Sequence, residues 1–130
     1  MDYVVFKKFS LPLNRDEIAT SWEERGYSCD VFVDPPGREW NDFVHSMNEL
    51  VTVVEGKLQM TIEGETFVAS PGDEVFIPKG ACHSVKNIHH GTTRWLYGYD
   101  SQDVENACPE SFRRGFLRRS LITQRIFPYE

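Results

Sequence analysis

An all-β fold, a sandwich or barrel of antiparallel strands, is the fold class that the sequence predicts. Eight short runs of β-type residues follow one another between positions 27 and 99, at a spacing of roughly 8–12 residues. Turn sequences separate these runs, such as Glu55-Gly56 and Glu63-Gly64. The region has no alternation of strands and helices, which argues against a parallel α/β sheet.

One strand and one short helix are predicted before this region. Tyr3–Phe9 is apolar and rich in β-type residues, which favours a first strand. Asn14 begins a sequence similar to a capping box, and Ile18 and Trp22 lie four residues apart on one helical face. These features predict a helix over roughly 15–25.

The β region contains eight predicted strands, and a helical pattern follows it. The predicted strands are Ser28–Val33, Glu39–His45, Leu50–Glu55, Leu58–Glu63, Thr66–Ser70, Glu74–Ile77, Cys82–Lys86 and Thr93–Tyr99. After Asp100 the pattern becomes helical, because Phe112, Phe116 and Leu121 fall on one apolar stripe. We therefore expect a short helix near each end of the chain.

The length of 130 residues fits one domain, since single domains most often have about 100–150 residues. We divide it into an N-terminal strand and short helix (1–27), a barrel (28–100) and a basic helical extension (101–130). The extension is expected to pack on the same domain.

Charge is distributed unevenly along the chain, whose net charge is −6. Residues 1–112 contain nine basic and nineteen acidic side chains, whereas residues 113–130 contain five arginines and one glutamate. The acidic balance argues against general binding of nucleic acid or of an anionic membrane. The basic tail is expected to dock on an acidic surface of this subunit or of a partner, with binding of an anion or nucleic acid as the alternative.

The cysteines and the hydropathy pattern predict a cytoplasmic protein. Cys29, Cys82 and Cys108 are odd in number and widely spaced, which indicates reduced thiols. No apolar run approaches the roughly 20 residues that a membrane-spanning helix needs. The first residues also lack the pattern of a signal peptide.

Three side chains of the β region could bind a metal ion, namely His45, Glu49 and His83. If the alternation of the strand continues, His45 and Glu49 share one face. The same face would also hold Phe43, Val51 and Val53. The opposite face is apolar too, so both faces could be covered, and alternation alone leaves open which way His45 points.

Two histidines and one carboxylate suit divalent Fe, Mn, Zn or Ni. Three protein ligands leave positions open on such an ion for water or substrate. A closed structural zinc site would need four ligands, and cysteines usually supply some of them. The alternative is that these three residues are hydrogen-bonded polar groups of a core without metal. That alternative is weakened because a buried carboxylate without a cation or a donor is costly.

The spacing of these residues resembles the motifs of the cupin family, in particular small single-domain cupins. The second motif of the family is Gly, five residues, Pro-x-Gly, two residues, His, three residues and Asn. The residues that match it at every position are Gly72, Pro78, Gly80, His83 and Asn87. The resemblance covers about residues 28–99.

The first motif of the family is matched with one departure. Gly37, His45, Glu49 and Gly56 occupy its positions, but Phe43 stands where the family has its first histidine. The five-residue spacing from Gly37 is preserved, so Phe43 is a substitution and not a misalignment.

The resemblance implies a double-stranded β-helix, or jelly-roll, barrel. The family usually holds its metal with three histidines and one glutamate, so the resemblance carries over His45, Glu49 and His83 as ligands of a divalent metal ion. It also implies a small-molecule ligand and a homodimer, in which pairing would remove exposed sheet edges.

The remaining motif residues are expected to form the wall and the turns of the barrel. The expected pocket wall is Phe43, Val51 and Val53. The expected structural residues are Gly56, Gly72, Pro78, Gly80 and Asn87.

Two functions from different classes remain open at this point. The first is a metal-dependent enzyme acting on a small organic molecule, with a dioxygenase as the leading reaction and an isomerase or lyase as further options. The second is a non-catalytic ligand-binding or sensory cupin, which the missing ligand at Phe43 favours. A third possibility makes the arginine-rich tail the functional part, with the barrel as a scaffold.

Overall fold

Two antiparallel five-stranded sheets form the protein in the computed structural model, which describes residues 2–101 and the backbone of residues 105–107. One helix, α1 (Arg15–Glu24), accompanies them. The strands are β1 (Val4–Val5), β2 (Asp30–Asp34), β3 (Glu39–His45), β4 (Glu49–Glu55), β5 (Leu58–Ile62), β6 (Glu65–Ala69), β7 (Glu74–Ile77), β8 (His83–Asn87), β9 (Thr93–Tyr99) and β10 (Glu105–Ala107).

The strand order matches a jelly-roll sandwich. Sheet A has the order β1-β7-β4-β9-β2, and sheet B has the order β10-β3-β8-β5-β6. The prediction of an all-β fold is confirmed, and the bounds predicted for β3, β7 and β9 agree with the structure.

Two apolar clusters cover the two faces of the central strand β4. Val51 and Val53 point into the main core between the sheets. Leu50 points to the opposite face of sheet A, where it packs with Ile18 and Trp22 of α1. The expectation that both faces of this segment could be covered is therefore confirmed.

Helix α1 begins and ends where its capping residues predict. The side-chain oxygen of Asn14 accepts hydrogen bonds from the backbone N–H groups of Asp16 and Glu17, at 2.9 and 3.2 Å. Gly26, just past the last helical turn, has a φ of +88°, which glycine adopts without strain.

The first strand is shorter than predicted. Only Val4–Val5 pairs with β7, because Lys7 has a φ of +53° that ends the extended conformation. The Lys7 N–H donates to Asp73 Oδ1 at 2.9 Å, which accounts for this turn. The local β propensity of Tyr3–Phe9 could not reveal this long-range contact.

The start of the C-terminal extension is a strand and not part of a helical segment. Glu105–Ala107 pairs antiparallel with residues 43–45 of β3. The unpaired backbone groups at a free sheet edge stabilise an added strand, even where the local sequence pattern favours a helix. The helix predicted around Phe112 and Leu121 lies outside the described residues.

The expectation of reduced thiols is wrong for Cys82, which is disulfide-bonded. Cys29 has a free thiol, and burial raises its pKa. Disulfide formation depends on the separation of Cα atoms in space, which spacing along the chain does not reveal.

Within the described part of the chain, the single helix is far too short to cross a membrane. The cytoplasmic location stays a prediction.

Glu74 anchors α1 to sheet A. Its buried carboxylate accepts two hydrogen bonds from the Arg25 guanidinium, at 3.0 and 2.7 Å, and one from the Trp22 indole N–H at 3.0 Å. Burial acts to raise the pKa of Glu74, but the hydrogen bonds and charge of Arg25 outweigh it and hold this pKa below its usual value.

We expect Glu74→Gln to lower the free energy of unfolding by about 1–2 kcal/mol at pH 7, because hydrogen bonds from Arg25 and Trp22 to a buried charged group are lost. The Glu74 pKa is lower in the folded than in the unfolded protein. Its stabilisation is therefore present above the unfolded value, near 4.5, and is lost as pH falls through the folded value. Urea denaturation at neutral and acidic pH should show the difference from wild type shrinking in acid. A constant difference would contradict this assignment.

Candidate metal centre

Three buried side chains from three strands meet at one end of the sandwich. His45 ends β3, Glu49 begins β4, and His83 begins β8. Their relative exposures are 4%, 3% and 5%. Since β4 belongs to sheet A and the other two strands to sheet B, the site joins the two sheets.

The separations of the ligand atoms fit a single cation. Glu49 Oε1 lies 3.3 Å from His45 Nε2 and 3.9 Å from His83 Nε2. One ligand atom from each residue lies within 4.8 Å of both others. Two ligands at a right angle around an ion about 2.1 Å away are about 3 Å apart, so small side-chain rotations suffice. The donor set of two imidazoles and one carboxylate suits Fe, Mn, Zn or Ni.

A backbone hydrogen bond orients His83 towards the site. His83 Nδ1 lies 3.0 Å from the Ala81 carbonyl oxygen, to which its N–H can donate. In this tautomer Nε2 carries the lone pair that faces Glu49, as metal-binding histidines require. The Ala81 N–H in turn donates to the Pro78 carbonyl at 3.0 Å, so the turn before β8 supports this geometry.

Asn48 organises the turn that joins His45 to Glu49. Its backbone and side-chain N–H groups donate to the two carboxylate oxygens of Asp100, at 3.1 and 2.9 Å. Its side-chain oxygen accepts from the Lys79 N–H at 2.8 Å, and the Gly80 N–H donates to the His45 carbonyl at 2.9 Å. The sequence interpretation missed Asn48, because a polar residue in a turn resembles any solvated loop residue.

A small cavity adjoins the three ligand candidates. Its other lining residues are Trp40, Phe43, Val51, Ile77, Val85 and Trp95. The centre of a water molecule can occupy about 10 Å³ within it. That volume corresponds to about one water, because the aromatic side chains fill the remaining interior.

A β-bulge brings Trp40 and Phe43 to the same wall. Strict alternation would place side chains three residues apart on opposite faces. The register of β3 against β8 shifts between these residues, and Asp42 has a φ of +60° with its N–H donating to Ser84 Oγ at 2.9 Å. Phe43 then pairs directly with His83 across the two strands.

Asp34 is a buried carboxylate at the far side of the aromatic wall. Its oxygens accept from the indole N–H of Trp40, at 3.1 and 3.3 Å, and from that of Trp95 at 2.8 Å. Burial raises the pKa of Asp34, while the hydrogen bonds from Trp95 and Trp40 and the charge of Arg38 oppose the rise. The sequence interpretation missed this residue because the Pro-Pro-Gly that follows it marks only a turn.

Residues 30–99, more than half of the chain, match the family described as Cupin domain. The chain belongs to the cupin family. The resemblance stated from the spacing of the two motifs is thereby confirmed.

Solved structures agree with this assignment. The cupin is similar to a cupin 2 domain-containing protein from Halorhodospira halophila, with 18% identity and a TM-score of 0.59, over 66% of this chain and 61% of that one. It is also similar to a recombinant oxalate oxidase in complex with glycolate, with 20% identity and a TM-score of 0.58, over 64% and 46% of the two chains.

A salicylate 1,2-dioxygenase from Pseudaminobacter salicylatoxidans shares 21% identity at a TM-score of 0.59, over 67% of this chain and 27% of that one. The cupin spans less than two thirds of the length of each of these proteins. At such identities the likeness concerns the fold. No curated protein matches the sequence.

The glycines of the cupin motifs lie in tight turns. Gly56 has a φ of +101°, and a Cβ there would meet the backbone of Thr93 at 2.9 Å. Gly72 has a φ of +95°, and a Cβ there would meet the Phe9 carbonyl oxygen at 2.7 Å. Gly80, with a φ of +80°, has open space around it.

The motif asparagine closes one end of the barrel. Asn87 Nδ2 donates to the carbonyl oxygens of Asp34, Pro35 and Gly91 at 3.0, 2.9 and 3.1 Å, and its Oδ1 accepts from the Thr93 hydroxyl at 2.7 Å. These contacts all lie among loops and strand ends, and none of them involves a candidate metal ligand.

The residues expected to form the pocket wall divide into two groups. Phe43 and Val51 line the cavity. Val53 is fully buried in the same core but is not one of the lining residues.

Proposed function

We propose that this cupin binds a divalent metal ion through His45, Glu49 and His83 and acts as a metal-dependent enzyme, of the dioxygenase type, on a small organic molecule. The observation that carries the proposal is the convergence of one atom from each of three buried residues to within 4.8 Å. Two of the similar structures carry the names of an oxalate oxidase and of a salicylate 1,2-dioxygenase, which is compatible with oxidative chemistry.

Each residue of such a site would have a separate role. The Glu49 carboxylate supplies the negative charge that makes binding of a cation favourable, and His45 and His83 supply neutral nitrogen ligands. The apolar wall next to them leaves room for about one water, and such a poorly hydrated site strengthens electrostatic interactions inside it. When bound, the ion would supply a redox centre if it is Fe or Mn, or a Lewis acid if it is Zn or Ni.

A second function is favoured by the small size of the cavity. The residues that line it, apart from the three ligand candidates, are apolar or aromatic and provide no separate general acid or base. This favours a non-catalytic ligand-binding or sensory cupin, with or without a structural metal ion. The homodimer, the small-molecule ligand and the docking of the basic tail stay proposals of the sequence.

Elemental analysis of untagged protein purified without chelator tests the metal site. We expect about one metal ion per chain in the wild type and at least about tenfold less in His45→Ala, Glu49→Ala and His83→Ala, since each loses one of three ligands. His90→Ala, in an exposed loop, is the matched control and should keep its metal.

Wild-type protein that stays metal-free after reconstitution with Fe(II), Mn, Ni and Zn would overturn the proposal. Oxygen consumption with a panel of small organic acids and phenols then separates the two functions. Turnover supports the enzyme, whereas stoichiometric metal without turnover favours the binding or sensory protein.

A further inference from the structure

Asn48 and Asp100 form a polar pair at the metal end of the sandwich. The Asn48 backbone N–H and side-chain NH₂ donate to the two carboxylate oxygens of Asp100, at 3.1 and 2.9 Å. The Asp100 N–H donates to the Asn48 carbonyl oxygen at 3.2 Å, and the Asn48 side-chain oxygen accepts from the Lys79 N–H at 2.8 Å. Both backbone and both side-chain polar groups of Asn48 are thus used to join three separate segments.

Two of these segments carry the candidate metal ligands. Asn48 belongs to the three-residue turn between His45 at the end of β3 and Glu49 at the start of β4. Lys79 belongs to the turn that leads to His83 at the start of β8. The hydrogen bond between Lys79 and Asn48 therefore joins the turns on which all three candidates depend.

The third segment places an aromatic ring against one of the candidates. Asp100 directly follows Tyr99, the last residue of β9, which pairs with Glu49 across β4 and β9. The Tyr99 ring lies edge-on to the His45 ring, with centroids 5.2 Å apart. The bonds of Asp100 to Asn48 therefore fix the end of β9, and with it this ring, relative to His45.

We propose that Asn48 and Asp100 are positioning residues that keep His45, Glu49 and His83 at the spacing that a metal ion requires. They act through the turns that carry the ligands. The proposal rests on the metal-binding function proposed above and assigns to it two residues outside the ligand set.

The spacing of the ligands depends on how the two sheets are connected at this end. Glu49 belongs to sheet A, whereas His45 and His83 belong to sheet B. A shift of one turn relative to another changes the distances between ligand atoms, and ligands that their surroundings do not hold in place bind metal more weakly. Asn48 is only half-buried and Asp100 is exposed, so loss of their contacts should leave the barrel folded.

Binding of Co(II), measured by competition with a chelator and by the visible spectrum of the bound ion, tests this inference. Asn48→Ala removes the side-chain bonds to Asp100 and Lys79. It should raise the Kd for Co(II) at least about tenfold and change the spectrum, because the ligands no longer meet at the same spacing.

An exchange of the two side chains makes the test specific. Asn48→Asp alone opposes two carboxylates at the 2.9 Å contact, so it should weaken binding although the added negative charge by itself favours a cation. Adding Asp100→Asn places an amide donor opposite the introduced carboxylate, which can still accept from the Lys79 N–H. This double variant has the net charge of the wild type, and its Kd and spectrum should return to within about threefold and to the wild-type shape, respectively.

A matched control is present at the start of α1. Asn14 is also an exposed asparagine, and it accepts from the N–H groups of Asp16 and Glu17, where α1 packs on the outer face of sheet A. Asn14→Ala should lower stability to urea but leave the Kd for Co(II) and the spectrum unchanged. It thus separates general destabilisation from lost positioning.

The outcomes distinguish the positioning role from the metal-binding function. Wild-type affinity and spectrum in folded Asn48→Ala and Asn48→Asp, an equal loss in Asn14→Ala, or no recovery in the double variant would overturn the positioning role alone. Failure of the wild type to bind Co(II) would overturn the metal-binding function on which it rests.

Discussion

Replacing Phe43 by histidine should raise the affinity of this protein for a divalent metal about 10- to 100-fold, or about 1.4–2.7 kcal/mol. Phe43 lines the cavity with the three ligand candidates and pairs with His83 across β3 and β8. An imidazole at this position would project towards the same space and add a fourth ligand, the one that the cupin motif has here. The measurement is a competition titration with a chromophoric chelator, using Zn(II) or Co(II).

Two controls make this result specific. Phe43→Leu keeps an apolar side chain without a ligand atom and should leave the affinity unchanged within a factor of about two to three. Phe43→His combined with Glu49→Ala should lose the gain, because the added imidazole acts only as part of the set. An affinity for Phe43→His equal to that of the wild type, in a folded variant, would show that position 43 does not face the ion.

Gly98→Ala should destabilise the fold by about 3 kcal/mol and lower Tm by roughly 10 °C. Gly98 lies in β9, where the segment between α1 and β2 crosses sheet A. A Cβ at this position would overlap the Ser28 carbonyl oxygen and lie 3.0 Å from Trp22 Cε3. The backbone of Ser28 is held by its own bond to the Tyr99 carbonyl at 3.0 Å, so it cannot move away without a further loss.

Gly91→Ala is the matched substitution for this prediction. A Cβ at Gly91 would lie 3.6 Å from the nearest atom of His89, which is an ordinary contact. Its free energy of unfolding should stay within about 0.5 kcal/mol of the wild type. Thermal and urea denaturation of both variants give the comparison, and equal stability of the two would contradict the close approach at Gly98.

The strands of the barrel could be predicted because the strongest local signals agree with the tertiary structure. Strands β3, β7 and β9 contain β-branched and aromatic residues between clear turn sequences, and their predicted bounds agree with the structure. The segments at both ends were predicted less well. The left-handed backbone conformation of Lys7 ends β1 early, and the pairing of Glu105–Ala107 with β3 adds a strand.

The three candidate ligands were singled out from the sequence, whereas several of the residues around them were not. His45, Glu49 and His83 were singled out from their spacing, and the structure brings them together. Asp34 and Asn48 were missed, because each has a partner that is distant in the chain: Lys79 for Asn48, and Trp95 for Asp34, which also accepts from the nearby Trp40. No periodic pattern connects such pairs.

The sequence by itself determined the all-β class, the position of the candidate ligands in the chain and the replacement of one motif histidine by Phe43, because these depend on residue types and short spacings. Only the tertiary structure decided that the barrel interior has room for about one water and that Asp34 holds two indoles in that wall. Cavity size depends on how side chains from separate strands fill a common volume. The β-bulge before Phe43 changes that packing without altering the local pattern of apolar residues.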